Sequence, residues 1–399
     1  MSTLNETVSA ERVHIAFFGK RNAGKSSLVN AVTGQKLSVV SPVSGTTTDP
    51  VRKAMELLPL GPVVIIDTPG YDDAGALGSL RVEKTNEVLN KTDIAVLVYD
   101  ASLGLSEEDR SLLERLKERK LPVILAANKC DLLREEGSID AEAVRVSALT
   151  GEGVHELKER LADLGRRKDA PKYILADLVS PGDTVILVIP VDESAPKGRL
   201  ILPQQQTLRE LLDLHCTALC CQVEELPGLL AELKTPPRIV ITDSQVFGKV
   251  SPLVPASIPL TSFSILFARY KAQLSALAAG AKALSQLKNG DHVLISEGCT
   301  HHRQCSDIGT VKIPGWVRSY TGKELRFSFS SGGEFPEELR DYALVIHCGG
   351  CMLNEAAMRH RMQTAERAGV PIVNYGVAIA QMHGILERSL EPFRNELHE

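Results

Sequence analysis

Short apolar runs recur along the whole chain, most of them closed by glycine, asparagine, aspartate or serine. Residues 13–18 (Val-His-Ile-Ala-Phe-Phe), Val63–Ile66 and Leu121–Ala127 read as buried strands, because β-branched, aliphatic and aromatic residues fill them without a helical period. The stretch Ser27–Val32 reads as a helix. Further on, Thr184–Pro190 and Arg238–Thr242 read as strands and Thr207–Leu214 as an amphipathic helix, followed by the helix-breaking Pro252 and Pro255. Beyond Pro259 the pattern predicts strands at Val293–Ser296, Leu325–Phe329, Ala343–Ile346 and Pro371–Asn374. Helices are predicted at Phe267–Leu287, Leu353–Ala368 and Ala378–Glu387. Such strand–helix alternation implies parallel sheets with helices on both faces, and an α/β chain.

Length changes this picture first. A chain of 399 residues is too long for one core and predicts roughly two to four domains. The charged, proline-ended stretch Gly165–Pro171 reads as a linker, and Pro259 opens another segment. The expected division is 1–166, 172–258 and 259–399: a phosphate-binding-loop domain, a small α/β domain and a parallel-sheet α/β domain. Composition is ordinary for a globular protein, at 43% hydrophobic and 24% charged. A net charge of −5 without lysine or arginine blocks argues against nucleic acid as a partner. Aromatic content of 4% leaves little for a base-stacking surface. No apolar run approaches the roughly 20 residues of a membrane span, and Met1–Glu6 lacks a signal-peptide core. The expectation is a cytoplasmic protein without a membrane partner.

The first strand runs into Gly19-Lys20-Arg21-Asn22-Ala23-Gly24-Lys25-Ser26, which fits the pattern G-x-x-x-x-G-K-S. Glycines at these positions let backbone N–H groups curl around phosphates, and the following helix adds positive potential. Lys25 is placed to reach the outer phosphates and Ser26 to ligate Mg²⁺. Gly19, Asn22, Ala23, Gly24, Lys25, Ser26 and Ser27 are the phosphate-binding set. Val63–Ile66 ends in Asp67-Thr68-Pro69-Gly70, where Asp67 would hold Mg²⁺ through water and the Gly70 N–H would sense the γ-phosphate. Leu121–Ala127 ends in Asn128-Lys129-Cys130-Asp131, the N-K-x-D pattern, in which Asp131 accepts two N–H groups from guanine. Ser147 and Ala148 would close over the base. Together these motifs read as a GTPase, with Lys25, Thr47, Asp67 and Gly70 as its catalytic set. Gly45-Thr46-Thr47-Thr48-Asp49 resembles the switch of Era- and TrmE-like GTPases, which implies Thr47 as a Mg²⁺ ligand. Asn22 matches the asparagine that helps bind K⁺ in potassium-activated members. Tyr71 stands where Ras-type enzymes carry glutamine, so a monovalent cation in place of an arginine finger is expected.

The eight cysteines are Cys130, Cys216, Cys220, Cys221, Cys299, Cys305, Cys348 and Cys351. In a reducing compartment they point to burial, catalysis or metal binding rather than disulfides. Cys130 reads as structural. Cys216, Cys220 and Cys221 lie among Leu212, Leu214, Leu219 and Val223 and read as buried small hydrophobes. The remaining four gather at two strand exits, in Cys299-Thr300-His301-His302 and His347-Cys348-Gly349-Gly350-Cys351, which are expected to meet and hold a metal centre. The helix after Cys351 is expected to lower the thiol pKa values through its positive end. Structural zinc would want a closed tetrahedron. Three cysteines with one adaptable position suit an iron–sulfur cluster better, and disulfide redox chemistry at Cys348 and Cys351 is a further alternative.

A C-x-H…H-C-x-x-C signature behind an Era-like GTPase resembles the HydF family, the scaffold maturases of FeFe-hydrogenase, and the resemblance runs the length of the chain. It implies that Cys299, Cys348 and Cys351 ligate a 4Fe–4S cluster. His301 and His347 lie near it or fill its fourth position, for which Cys305, Asp307 and an exogenous ligand also compete. It also implies a homodimer through the middle domain and a di-iron precursor made with the radical-SAM maturases HydE and HydG. Delivery would be to apo-hydrogenase, with GTP, Mg²⁺ and K⁺ as further cofactors. The rival from another class is an Era-like ribosome or tRNA GTPase carrying a structural zinc domain.

Overall fold

The computed structural model describes residues 11–35, 50–70, 85–133, 140–167, 173–191, 200–298 and 307–397. The chain divides into two compact units, residues 1–171 and 172–399.

The first unit is built on a six-stranded sheet. Its strands are β1 (Val13–Phe18), β2 (Val51–Leu57), β3 (Gly61–Asp67), β4 (Ile94–Asp100), β5 (Val123–Asn128) and β6 (Val144–Arg145), in the order β2-β3-β1-β4-β5-β6. Only β2 runs antiparallel to its neighbour. The two-residue period of β1 feeds both faces: Ile15 and Phe17 enter one core, Ala16 and Phe18 the other. Helices α1 (Lys25–Thr33), α2 (Glu107–Glu118) and α3 (Val154–Arg167) pack on these faces. In this sheet β1 sits between β3 and β4, so chain connections leave it in opposite directions and open a crevice at its carboxyl end.

The second unit carries two four-stranded parallel sheets around one shared core, from Leu175 through Phe263 and Ile346 to Phe393. The first of these sheets comprises β7 (Thr184–Val188), β8 (Thr217–Cys221), β9 (Ile239–Thr242) and β10 (Leu260–Ser262), in the order β10-β9-β7-β8. The other comprises β11 (His292–Ser296), β12 (Arg326–Ser330), β13 (Leu344–His347) and β14 (Ile372–Asn374), in the order β12-β11-β13-β14. Here β11 lies between β12 and β13, so the connection direction reverses at the β11–β13 pair. The register brings Ser296 beside His347. The helices of this unit include α4 (Leu202–Asp213), α5 (Phe263–Lys271), α6 (Leu274–Ala283), α7 (Glu355–Ala368) and α8 (Tyr375–Met382). No helix among the described residues is long and apolar enough to cross a membrane.

Four local expectations change. The helix predicted over Phe267–Leu287 is two helices, α5 and α6, broken by extended backbone at Ala272 and Gln273. Neither residue is glycine or proline, so the pattern gave no warning. The first helix also starts early, because Ser262 Oγ at the end of β10 accepts the N–H of Ile265 at 3.3 Å. The predicted Ala378–Glu387 helix begins at Tyr375, capped by Asn374, and stops before Gly384. Residues 165–167 belong to α3 rather than to a linker. Finally, Cys216 is buried, but Cys220 is exposed and Cys221 half-buried, because β8 is an edge strand with one face open.

Candidate functional site

At the exit of β1 the loop from Gly19 to Ser26 turns into α1. Gly24 has φ +85°, and a Cβ there would lie 2.3 Å from Asn128 Nδ2, so both conformation and space call for glycine. Asn128, at the end of β5, ties the site together. Its Nδ2 donates to the Ala23 carbonyl at 2.9 Å, and its Oδ1 accepts the Ala148 N–H at 3.1 Å. The phosphate loop and the base-closing turn are thereby held by one side chain. Lys25 is buried, and its Nζ donates to the carbonyls of Gly19 (2.7 Å) and Lys20 (2.8 Å). Lys129 pairs with Asp100 at 2.6 Å, while Asp131 is exposed. Cys130 is buried, with its thiol pKa raised by burial, as fits a structural residue.

The residues expected to hold Mg²⁺ fit a cation. Ser26 Oγ donates to Asp67 Oδ2 at 2.6 Å, and Asp67 is only 1% exposed. Its other oxygen, Oδ1, is buried without a hydrogen-bond partner among the described residues. An ionised carboxylate oxygen left so is costly unless a hard cation or its water satisfies it. Thr68 beside it is anchored through Oγ1 to the Phe17 carbonyl at 2.7 Å, which fixes the β3 exit against β1. Gly70 is half-buried just past this exit. Thr47, and the switch segments around it and Tyr71, lie outside the described residues.

In the second unit the β11 and β13 exits meet. The Cys348 N–H donates to the Ser296 carbonyl at 2.9 Å. Cys348 Sγ accepts the N–H of Gly298 at 3.0 Å and that of Gly350 at 3.4 Å. Residue 298 immediately precedes Cys299 in sequence, so the described chain before the third cysteine ends at the Cys348 sulfur. Cys299, His301, His302 and Cys305 themselves lie outside the described residues. Gly350, at φ +64°, makes the bend that sends the chain on to Cys351. Cys348 and Cys351 are both free thiols, half-buried.

Residues 174–272 match the family model described as the hydrogen maturase F dimerization domain, and residues 275–392 match its tetramerization domain. Residues 14–129 match a model described as a 50S ribosome-binding GTPase. The chain belongs to the HydF family.

The GTPase part of this HydF chain has many relatives. GTPase Era from Rippkaea orientalis is 32% identical over 231 residues, covering 54% of this chain and 69% of Era. The tRNA modification GTPase MnmE from Chromobacterium violaceum is 36% identical over 159 residues, covering 39% of this chain and 35% of MnmE. The chain thus spans about a third of the length of the MnmE relatives that it matches. A crystal structure of Aquifex aeolicus Era is matched at 23% identity with a TM-score of 0.35, over 52% of this chain and 91% of that one.

Behind the HydF cysteine turn stands a network that the sequence did not announce. His347 is fully buried. Its Nδ1 meets the Cys348 carbonyl at 2.5 Å, and its Nε2 meets Arg361 Nη1 at 2.7 Å. A guanidinium only donates, so Nε2 is the acceptor, Nδ1 carries the proton and the ring is neutral. Burial, then the Arg361 charge, lowers the His347 pKa to about 3. Both ring nitrogens are therefore engaged within the protein. Arg361, on α7 and 2% exposed, also donates to Ser296 Oγ at 3.0 Å and to the Gly332 carbonyl at 2.5 Å. Its guanidinium lies over the Phe335 ring at 5.0 Å. Arg361 was missed because it looks like any helix-surface arginine in sequence.

The expected lowering of the thiol pKa values is overturned. Burial pushes Cys348 up to about 11, against the pull of the Gly298 and Gly350 N–H groups, and also raises Cys351. The following helix starts only at Glu355, and its first turn is capped by Asn354, whose Oδ1 accepts the Ala357 N–H at 3.2 Å. One of its first-turn N–H groups is thus taken by the cap rather than by the sulfurs. The donor chemistry nevertheless fits a thiophilic centre: thiols costly to ionise alone, with N–H groups already aimed at sulfur, gain most when a metal takes the proton's place. Asp307 caps its own segment, its Oδ2 accepting Thr310 N–H and Oγ1 at 2.8 Å each. Among the described residues no three His, Cys, Asp or Glu side chains gather as a metal site.

Proposed function

We propose that this chain is a GTP-hydrolysing scaffold of FeFe-hydrogenase maturation that binds a 4Fe–4S cluster through Cys299, Cys348 and Cys351. The observation that carries it is the Gly298 N–H on Cys348 Sγ: the segment holding Cys299 starts where the C-x-x-C turn already is. The chain's own part is to present three thiolates, to donate N–H groups to them, and to brace the turn through His347 and Arg361. We assign His347 to that bracing rather than to the fourth ligand position. When bound, the cluster would supply an iron site able to carry a di-iron cargo.

In the GTPase domain, Ser26, Thr47 and, through water, Asp67 hold Mg²⁺. Lys25 neutralises the outer phosphates and Gly70 senses the γ-phosphate. Asn22, exposed and at φ +62°, supports K⁺ binding beside the phosphates in place of an arginine finger. Ordering and release of the switch segments would then time partner exchange. The reading divides the chain at 1–166, 172–258 and 259–399, as GTPase, dimerisation and cluster domains. It names a second copy, HydE, HydG and apo-hydrogenase as partners.

The test is activation of apo-hydrogenase, read as hydrogen evolution. Wild-type chain isolated with HydE and HydG is expected to activate it, and Cys348→Ala chain is not. Equal activation by both would refute the scaffold assignment. Replacing K⁺ by Na⁺ should slow GTP hydrolysis, and an unchanged rate would remove K⁺.

A further inference from the structure

The break between α5 and α6 leaves Lys271 on the last turn of α5, where a lysine would ordinarily face solvent or its own helix carbonyls. It does neither. Its side chain is 7% exposed, and Nζ donates to the carbonyls of Cys351 and Leu353 at 3.1 Å each and to that of Gly350 at 3.4 Å. The next residue, Ala272, packs on Leu353, Ala357 and Met358, which form a small cluster of their own under the turn. The two residues that end the match to the dimerization-domain model therefore grip the segment that follows Cys348 in the other.

Three carbonyls converging on one ammonium fix the path of the chain from Gly350 to Leu353. They also bury a cation within electrostatic reach of the Cys351 thiol. Cysteines in their ligating, ionised form would add negative charge beside that cation, which favours both. Consistent with this, the Lys271 charge opposes the burial that raises the Cys351 thiol pKa. The same arrangement opposes loss of the metal centre twice over, by holding Cys351 in place and by balancing its charge.

We propose that Lys271 is the positioning residue of the cysteine turn, and that through it the end of α5 governs how firmly Cys351 holds its metal centre. The proposal rests on the cluster reading above, but one arm of its test does not. In the full-length metal-free chain, hydrogen exchange is measured for amides 349–353 in wild type, Lys271→Met and Lys271→Arg. The Met variant should exchange there ~10-fold faster or more, with α7 amides beyond Met358 unchanged, and Arg should restore at least part of the protection.

After reconstitution with iron and sulfide, the Met variant should release iron to a ferrous chelator several-fold faster than wild type. Its midpoint potential should be lower, because a positive charge beside an anionic centre is gone. Arg should rescue both. Unchanged exchange in a folded Met variant overturns the proposal, as does equal loss in Met and Arg. If the Met chain unfolds by circular dichroism, the Arg variant decides alone: wild-type exchange and potential uphold the proposal, their loss refutes it. Wild type that takes up no iron refutes the cluster reading, while the exchange arm still judges Lys271.

Discussion

The exits of β1 and β13 look alike in outline. Each is a glycine-bearing turn between a parallel strand and a helix, at the place where its sheet reverses connection direction. They are held in different ways. Around the β1 exit the supports come largely from recurrent motifs: Lys25 bonds the carbonyls of its own loop, and Asn128 of N-K-x-D closes the rest. At the β13 exit the supports arrive from elsewhere: Gly298 from β11, Lys271 from α5 and Arg361 from α7. A site for a diffusible nucleotide is shaped mainly by backbone N–H groups and one cation. At the β13 exit, where the proposed metal centre would lie, the thiol-bearing turn is braced by groups from several segments.

That contrast can be broken from either side. The largest effect is expected for Ser26→Ala, which removes both the proposed Mg²⁺ ligand and a hydrogen-bond partner of Asp67. GTP hydrolysis should fall about 10²- to 10³-fold, measured by phosphate release, with iron uptake after reconstitution unchanged. A parallel loss of iron would mean that the two turns are not independent in chemistry.

Next comes Arg361→Met. It leaves His347 Nε2 and the Gly332 carbonyl without their donor inside the protein, at roughly 1–3 kcal/mol each. Urea denaturation of the second unit should show about 3 kcal/mol of lost stability, while GTP hydrolysis stays normal. A midpoint unchanged from wild type would remove Arg361 as a brace.

Gly24→Ala should weaken the first unit by about 1–3 kcal/mol through its left-handed backbone, more if Asn128 is displaced, and should reduce GTP affinity measured by titration calorimetry. Normal affinity would show that the loop relaxes around a Cβ.

The smallest effect is a pH dependence. Unfolded His347 takes a proton near its ordinary value of 6.5, but the folded chain resists it down to about 3. The unfolded state therefore binds more protons in that window, and this contribution, complete above pH 6.5, is lost as pH falls towards 3. Thermal melts of the metal-free chain should show an acid slope that is smaller in His347→Gln.

Much of this was legible beforehand, and the reason is locality. The phosphate loop, Asp67 and N-K-x-D are contiguous motifs whose residues stand at the strand exits where the sequence puts them, and the predicted strands at 13–18, 184–190 and 293–296 each overlie an observed one. That the β11 and β13 exits meet followed from the strand pattern. What stayed hidden depends on distance along the chain. Lys271 meets a turn about 80 residues away, its position set by a helix break without glycine or proline. Arg361 turns inward only because His347 and Ser296 stand in register on neighbouring strands. The thiol pKa values went the opposite way to expectation because Asn354 caps α7 and burial outweighs the N–H groups. Cys220 faces out because strand order, which no local pattern reveals, made β8 an edge.

The account turns on a metal centre at the β13 exit. The decisive measurement is the electron paramagnetic resonance spectrum of the protein, purified without oxygen, reconstituted with iron and sulfide, and reduced. The wild type should give the signal of a reduced 4Fe–4S cluster, and the alanine variants of Cys299, Cys348 and Cys351 should lose it together with their iron. A colourless protein holding zinc, or a cluster undiminished in those variants, would contradict the account.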